Sequence, residues 1–311
     1  MATKFTLIIP TRDRRRQILA LLESIAQLSD LTRINPEVIV GDNGSQDNTW
    51  ASLQEMTKNF PVPLRLLQVP IPGKSRVLNQ AIALATGDIL AFLDDDVVVD
   101  QGWLKALEAF CRDSKYQAGQ GRIRLCSPEA DDPEIQRLVQ RYRTIPQLDY
   151  NQDIDAVHSL NGANFFVRRE LLNRIGGFDE RLGPGASGTS EDVDLARRLI
   201  RAGALIGYAR ECVVYHHVDR DRLSEEYFKQ LHRRQGGSRI LIKDHSYSHI
   251  VFDLGRACTQ YLYYLKFGNE RQRYRNKGRI YHYLGMIAAK RDGSVVHSTK
   301  VAAVDQRRLL Q

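Results

Sequence analysis

Three consecutive carboxylates, Asp94, Asp95 and Asp96, stand at the end of a short apolar run over residues 89–93. Adjacent carboxylates repel one another, and without a counter-charge the repulsion raises their pKa values and weakens the fold. A divalent cation removes the conflict. Mg2+ favours a site of one or two carboxylates completed by phosphates and water, and Mn2+ accepts similar oxygen ligands. The competing reading is a solvated acidic turn that caps the following helix. Tyr215-His216-His217 ends another apolar segment, residues 212–214. Either imidazole would complete such a metal site or serve as a hydrogen-bonded structural group. Glu191-Asp192 follows a loop carrying Gly183, Gly185 and Gly188. One of these acids would act as a general base in a cleft under a mobile loop. Equally, acidic residues in the first turn of a helix stabilise it by about 0.3–1 kcal/mol.

Two tempting phosphate motifs fail. Gly73-Lys74-Ser75 resembles the end of a P-loop, but the position five residues before Gly73 holds Gln68 instead of glycine. Gly119 and Gly121 begin a dinucleotide fingerprint whose third glycine position is Arg124.

The elements that must position these residues alternate between strand-length apolar runs and segments of helical period, the pattern of parallel strands joined by crossover helices. Strands are expected at 5–9, 38–40, 64–69 and 89–93, then at 118–125 and 164–167. Ile18, Leu21, Leu22, Ile25 and Leu28 mark the first helix; further helices are expected at 48–58, 75–85, 101–111, 133–143 and 169–175. Residues 41–45 form a turn-rich loop that offers caps to the helix after it. Ser190 is placed to cap a helix with an acidic first turn and a basic end at Arg197, Arg198 and Arg201, before Gly203. In open parallel sheets, ligands sit at the carboxyl ends of strands, which is where the acidic triplet falls.

With 42% apolar and 26% charged residues in 311, the chain is neither disordered nor a disulfide scaffold. Four scattered cysteines suit a reducing cytosol. The net charge of +8 is uneven. Residues 1–219 hold 26 basic and 29 acidic side chains, net −3, and residues 220–311 hold 19 and 8, net +11. The first ten residues lack the charge order of a signal peptide, and no apolar run approaches the ~20 residues needed to span a bilayer. The expected setting is cytoplasmic, with any membrane contact peripheral and on the cytoplasmic face.

Taken in order, the motifs resemble the family 2 glycosyltransferases, nucleotide-sugar-dependent enzymes with the GT-A fold. The resemblance is carried by LIIPTRD (7–13), VIVGDNGSQD (38–47), GKSRVLN (73–79), FLDDD (92–96), NGANFFVR (161–168), IGGFDE (175–180), EDVDL (191–195) and His216. It spans residues 5–217 and implies a Rossmann-like α/β domain, with a mixed, mainly parallel sheet flanked by helices.

The resemblance also implies roles. Pro10, Thr11, Asp13 and Asp42 would hold the nucleotide base, with Arg76 and Lys74 helping to bind nucleotide. Asp94 and Asp96 resemble the outer pair of a DXD motif: Asp96 and His216 would bind Mn2+ or Mg2+, Asp94 the metal or ribose, and Asp95 would lie against the nucleotide. His217 is the alternative should the register slip by one. Glu191-Asp192 resembles the ED motif, whose Asp is the base in inverting members. Asn161, Gly162, Ala163 and Asn164, with Gly177, Phe178 and Asp179, would line the donor-sugar and acceptor floor. The processive members' QxxRW-type motif and membrane helices are missing, which favours transfer of a single sugar to a glycan or lipid-linked acceptor. A sugar-nucleotidyltransferase would carry a glycine-rich loop where Pro10-Thr11-Arg12-Asp13 stands; a non-catalytic nucleotide-binding scaffold would have no need of Asp94, Asp96, Asp192 and His216 together.

Residues 220–311 lie outside the resemblance and read as a basic, tyrosine-rich helical extension to a catalytic domain over 1–219. Tyrosines among apolar residues, flanked by Lys and Arg, suit an anionic membrane surface. They would serve equally as a helical layer packed on the catalytic domain. Nucleic acid is disfavoured as a partner, because no binding motif accompanies the charge and an acidic cleft repels a phosphate backbone.

Overall fold

The computed structural model describes residues 3–112, 115–150 and 154–293. Strands β1 (Phe5–Thr11), β2 (Glu37–Asp42), β3 (Leu64–Gln68), β4 (Ile89–Leu93), β5 (Val97–Val99), β6 (Ala118–Leu125), β7 (Asn164–Arg168) and β8 (Ile206–His216) form one sheet. Its order is β3-β2-β1-β4-β7-β6-β8-β5. The helices are α1 (Arg15–Ala26), α2 (Leu31–Ile34), α3 (Thr49–Thr57), α4 (Lys74–Leu84), α5 (Trp103–Cys111), α6 (Pro133–Tyr142), α7 (Arg169–Ile175), α8 (Glu191–Arg201), α9 (Glu225–Ile242), α10 (Tyr247–Phe267) and α11 (Glu270–Arg291).

β3, β2, β1 and β4 run parallel, as do β6 and β8; β7 is antiparallel to both β4 and β6, and β5 to β8. The apolar runs are continuous because both faces of the sheet are covered. In β1, Leu7 and Ile9 enter one core with Ile18, Leu21 and Leu22 of α1, while Ile8 enters the other with Leu78 of α4 and Leu195 of α8. β4 divides likewise, Ala91 and Leu93 to the first core and Leu90 and Phe92 to the second. Parallel register brings Thr11 opposite Asp42 and leaves Asp94 just past the end of β4, so the site gathers at the carboxyl edge of the sheet.

Several sequence expectations need amending. Ser190 precedes α8 but adopts a left-handed φ of 78° and makes no capping bond; its hydroxyl meets Thr189 at 3.2 Å instead. The acid-to-base polarity of α8 is present, with Glu191, Asp192 and Asp194 in its first turn and Arg198 and Arg201 in its last. The segment before His216 is the end of an eleven-residue strand, and a further short strand, β5, follows the acidic triplet. No side chain of residues 41–45 caps α3; the amide of Thr49 donates to Asp47 Oδ1 at 3.0 Å.

Beyond β8 the chain is helical. Phe228 of α9 and Tyr274 and Tyr281 of α11 pack on Leu125 of β6 and on Ile135, Val139 and Tyr142 of α6. α9 and α11 cross at glycines: a methyl on Gly236 would overlap the carbonyl oxygen of His282, and one on Gly285 that of Arg233. Helices can approach this closely only where side chains vanish.

Candidate active site

The acidic triplet is wired from three directions. Thr11 at the end of β1 donates its hydroxyl to Asp95 Oδ2 at 2.8 Å. Arg14, in the turn between β1 and α1, reaches Asp95 at 3.0 Å and Asp96 at 2.7 Å. Arg222, past the end of β8, approaches Asp96 Oδ2 at 3.5 Å. Burial would raise both inner carboxyls. For Asp95 burial prevails over Arg14, and Asp96 adds repulsion, so its pKa rises. For Asp96 the charges of His216, Arg14 and Arg222 prevail over burial, so it stays ionised.

Asp96 and His216, expected from the resemblance to share a metal, lie side by side. The ring Nδ1 of His216 lies 2.6 Å from the carbonyl oxygen of His217, which can only accept, so Nδ1 carries a hydrogen. In the neutral ring Nε2 is then a bare lone pair, and it faces Asp96 Oδ1 at 3.2 Å. That oxygen is buried and has no hydrogen-bond donor. A proton on Nε2 joins the two as donor and acceptor; with the ring neutral, a cation would reconcile them, and the carboxylate is the oxygen donor that Mn2+ or Mg2+ takes. Asp94 is turned elsewhere, to Lys74 Nζ at 2.5 Å. Among the described residues, no three His, Cys, Asp or Glu side chains converge as a preformed metal cluster. Asp94 would have to leave Lys74 to become a third ligand.

Lys74, at the start of α4, bridges the acidic triplet to α8. It lies 2.5 Å from Asp94 and 3.3 Å from Glu191. Burial alone would strip its proton, but Asp94, Glu191 and Asp192 together hold its pKa above that of ordinary lysine. Replacing Lys74 with methionine leaves Asp94 and Glu191 without their partner in a buried setting. We expect a stability loss of about 3–5 kcal/mol near neutral pH, read from the urea midpoint.

Asp192 is held by the backbone. Gly162 N–H donates to its Oδ2 at 2.9 Å and Val193 N–H to its Oδ1 at 2.8 Å. Burial first, then the neighbouring Glu191, push its pKa up to about 7 against the opposing pull of Lys74. Pro10, Lys74, Asp94, Gly162, Phe178, Glu191 and Asp192 line one cleft, floored by Phe92 and Phe165, whose rings stack at 4.6 Å. A Cβ on Gly162 would come within 3.0 Å of Lys74 Nζ and 3.3 Å of the Asp94 carboxylate, so a larger residue there would make this ion pair shift.

Other expected site residues are committed to holding loops. Asp42 is fully buried and accepts from Ser45, and Asp13 accepts from Gln46 N at 2.6 Å, which ties the turn after β1 to the loop after β2. Asn164 uses its whole amide on structure: it donates to the carbonyls of Arg122 and Cys212 and accepts from Trp103 Nε1 at 3.0 Å. Ala163 is buried in the first core, and Asn161 Oδ1 receives Ala163 N at 3.1 Å. Of residues 161–164, Gly162 lines the cleft. Arg76 pairs with Glu180 at 3.0 Å, Asp179 with Arg181 at 2.6 Å, and Gly177 packs on Asn79, whose amide bonds both N–H and C=O of Phe178. Arg14 and Arg222 escaped sequence reasoning. Arg222 has a buried Nε without a partner, a free donor beside Asp96.

Comparison with known proteins accords with this geometry. The profile described as "Glycosyltransferase like family 2" matches residues 2–237. The chain is 27% identical over 224 residues to succinoglycan biosynthesis protein ExoM of Rhizobium meliloti, covering 72% of this chain and 70% of that protein. It is 25% identical to glycosyltransferase AglE of Haloferax volcanii, covering 68% of this chain and 66% of that protein. With the pre-mycofactocin glycosyltransferase of Mycobacterium tuberculosis the identity is 30%, over 68% of this chain and 42% of the longer relative.

Two solved structures share the fold. Mannosyltransferase PcManGT of Pyrobaculum calidifontis, in complex with GDP-Man and Mn2+, aligns over 96% of this chain and 77% of its own at a TM-score of 0.56 and 18% identity. Residues 1–349 of Staphylococcus aureus TarS, in complex with UDP-GlcNAc, align over 93% of this chain and 92% of that one at 0.55 and 17%. The mixed α/β sheet with its acidic carboxyl edge is thus the GT-A architecture, and the chain belongs to glycosyltransferase family 2.

Proposed function

We propose that this protein transfers a single sugar from a UDP- or GDP-linked donor to a hydroxyl of a glycan or lipid-linked acceptor, with inversion and with a divalent cation. The observation that carries the reading is Asp192: a half-buried carboxylate, fixed by two backbone N–H groups, in the same cleft as Asp94 and Lys74. A raised pKa suits a base that must be ionised near neutrality yet basic enough to accept a proton.

The acceptor oxygen would attack the anomeric carbon as the bond from that carbon to the diphosphate oxygen breaks. Asp192 takes the hydroxyl proton, and the nucleoside diphosphate departs with the bonding electrons. Asp96 and His216 would hold Mn2+ or Mg2+, with Asp94 recruited from Lys74; when bound, the ion neutralises charge developing on the diphosphate. Arg14 and Arg222 add fixed positive charge beside Asp96. Thr11 and the Asp13–Gln46 and Asp42–Ser45 bonds hold the loops at which the resemblance places the base.

A nucleotidyltransferase reading gives way to the family match. The extension, with its basic excess, would set the enzyme on an anionic membrane surface where lipid-linked acceptors reside. A thermal-shift panel of UDP, GDP, TDP and CDP, each with and without Mn2+, tests the donor class. A Mn2+-dependent rise in Tm is expected with UDP or GDP; no rise with any nucleotide would overturn the transferase reading.

A further inference from the structure

The extension exposes a helix face that the catalytic layer does not use. α10 packs on α11, with Ile250 beside Met286, and Ile250, Leu254, Ala257, Tyr261 and Tyr264 form a stripe at helical spacing that is buried or half-buried. Its opposite side carries Val251 at 56% exposure, Phe252 at 69%, Leu262 at 65%, Tyr263 at 57% and Phe267 at 65%. Of the large apolar side chains exposed among the described residues, most lie on this one helix. Its exposed charges are Arg256 and Lys266; the single acid of the helix, Asp253, is half-buried and pairs with His249 at 3.4 Å.

The pattern is sharpest where α10 turns into α11. Phe267 projects at the corner with Lys266 over its ring at 5.2 Å, and Arg271 and Arg275 are exposed on the first turns of α11. The acid at this corner, Glu270, is drawn inward to Arg141 at 2.7 Å. The corner therefore offers aromatic and aliphatic side chains ringed by cations, with its carboxylate already neutralised.

We infer that the exposed face of α10, from Val251 to Phe267, lies flat on an anionic lipid bilayer, its apolar side chains entering the headgroup boundary and Arg256, Lys266, Arg271 and Arg275 meeting lipid phosphates. No helix of the described residues is long and apolar enough to cross a membrane. A second copy of the chain fits less well, because two such faces would bring like charges together. Single-stranded nucleic acid would stack on the aromatics but leave Val251, Leu262 and Leu265 wet. The inference deepens the surface-binding role proposed above for the extension and is independent of the transfer chemistry.

The test is flotation of the full chain with vesicles of equimolar phosphatidylglycerol and phosphatidylcholine, and with phosphatidylcholine alone. The wild type is expected to float with the anionic vesicles and to lose binding at high salt. The triple variant Phe252→Ser, Leu262→Ser, Phe267→Ser and the double variant Arg256→Glu, Lys266→Glu should each partition about tenfold less or worse, with unchanged Tm and nucleotide response. Because flotation needs no donor or acceptor, its failure leaves the transferase reading intact, and a silent nucleotide panel leaves flotation intact. Equal flotation of wild type and both variants would overturn the inference. So would a wild-type dimer in light scattering that the triple variant dissociates, which would assign the face to a second copy.

Discussion

Asp192→Asn is expected to lower turnover by about 10²–10⁴-fold, the usual contribution of a positioned general base, while nucleotide affinity stays near that of the wild type. Asparagine matches the shape of the carboxylate and can still accept from Gly162 N or Val193 N, but it cannot take a proton. Loss of fold is not the cause to fear. A carboxyl whose folded-state pKa is raised holds its proton more tightly in the fold than in the unfolded chain. For Asp192 this means that stability falls as pH rises from about 4, the ordinary Asp value, to about 7, and that the loss is complete above. The neutral variant escapes that loss. At pH 8 Asp192→Asn should therefore melt no lower than the wild type, which separates a catalytic defect from a structural one.

The second large effect concerns Asp96. Asp96→Asn should abolish the Mn2+-dependent part of nucleoside diphosphate binding and reduce turnover by about 10²-fold or more, since an electrostatic group acting on the departing charge is removed. Metal titration followed by nucleotide calorimetry reads the first effect directly. The substitution also removes the carboxylate that Arg222 approaches and leaves Arg14 with Asp95 alone. Some loss of stability is expected with it. Hence the informative quantity is the ratio of nucleotide affinity with and without Mn2+, which a general loosening of the site does not move selectively.

Much of this was legible in the chain because the signal was local. β1 and β4 announce themselves as unbroken apolar runs, since each buries both faces. The acidic triplet stands out because three like charges in a row demand an explanation, and Glu191-Asp192 because it opens an amphipathic helix after a glycine loop. β5 was missed because three residues are too few to show a period, and most of β8 because Gly207, Arg210 and Glu211 interrupt its apolar pattern. The resemblance puts Asn164 on the donor-sugar and acceptor floor, yet its amide fastens Trp103 and two backbone carbonyls, partners that only the sheet brings together.

The arginines of the site were hidden for a related reason. Arg14 and Arg222 are 82 and 126 residues from Asp96, and arginine is an ordinary surface residue until the fold brings it against a carboxylate. The glycine crossing of α9 and α11 was equally silent, because Gly236 and Gly285 interrupt helices and so argue locally against them. The corner of α10 and α11 lay in between. Its tyrosines and cations were visible as a composition, but which of them face outward is decided by the packing of α10 on α11.

As the proposed base, Asp192 must be ionised before transfer and take up the acceptor's proton during it. The direct measurement is the pH dependence of kcat/KM for the donor, taken at limiting nucleotide sugar and saturating Mn2+, comparing wild type with Asp192→Asn. The wild-type rate should climb through an inflection at about 7 and level off above it, while the variant stays low and flat across the range. A variant that keeps the wild-type rate, or that shows the same inflection, would contradict the account.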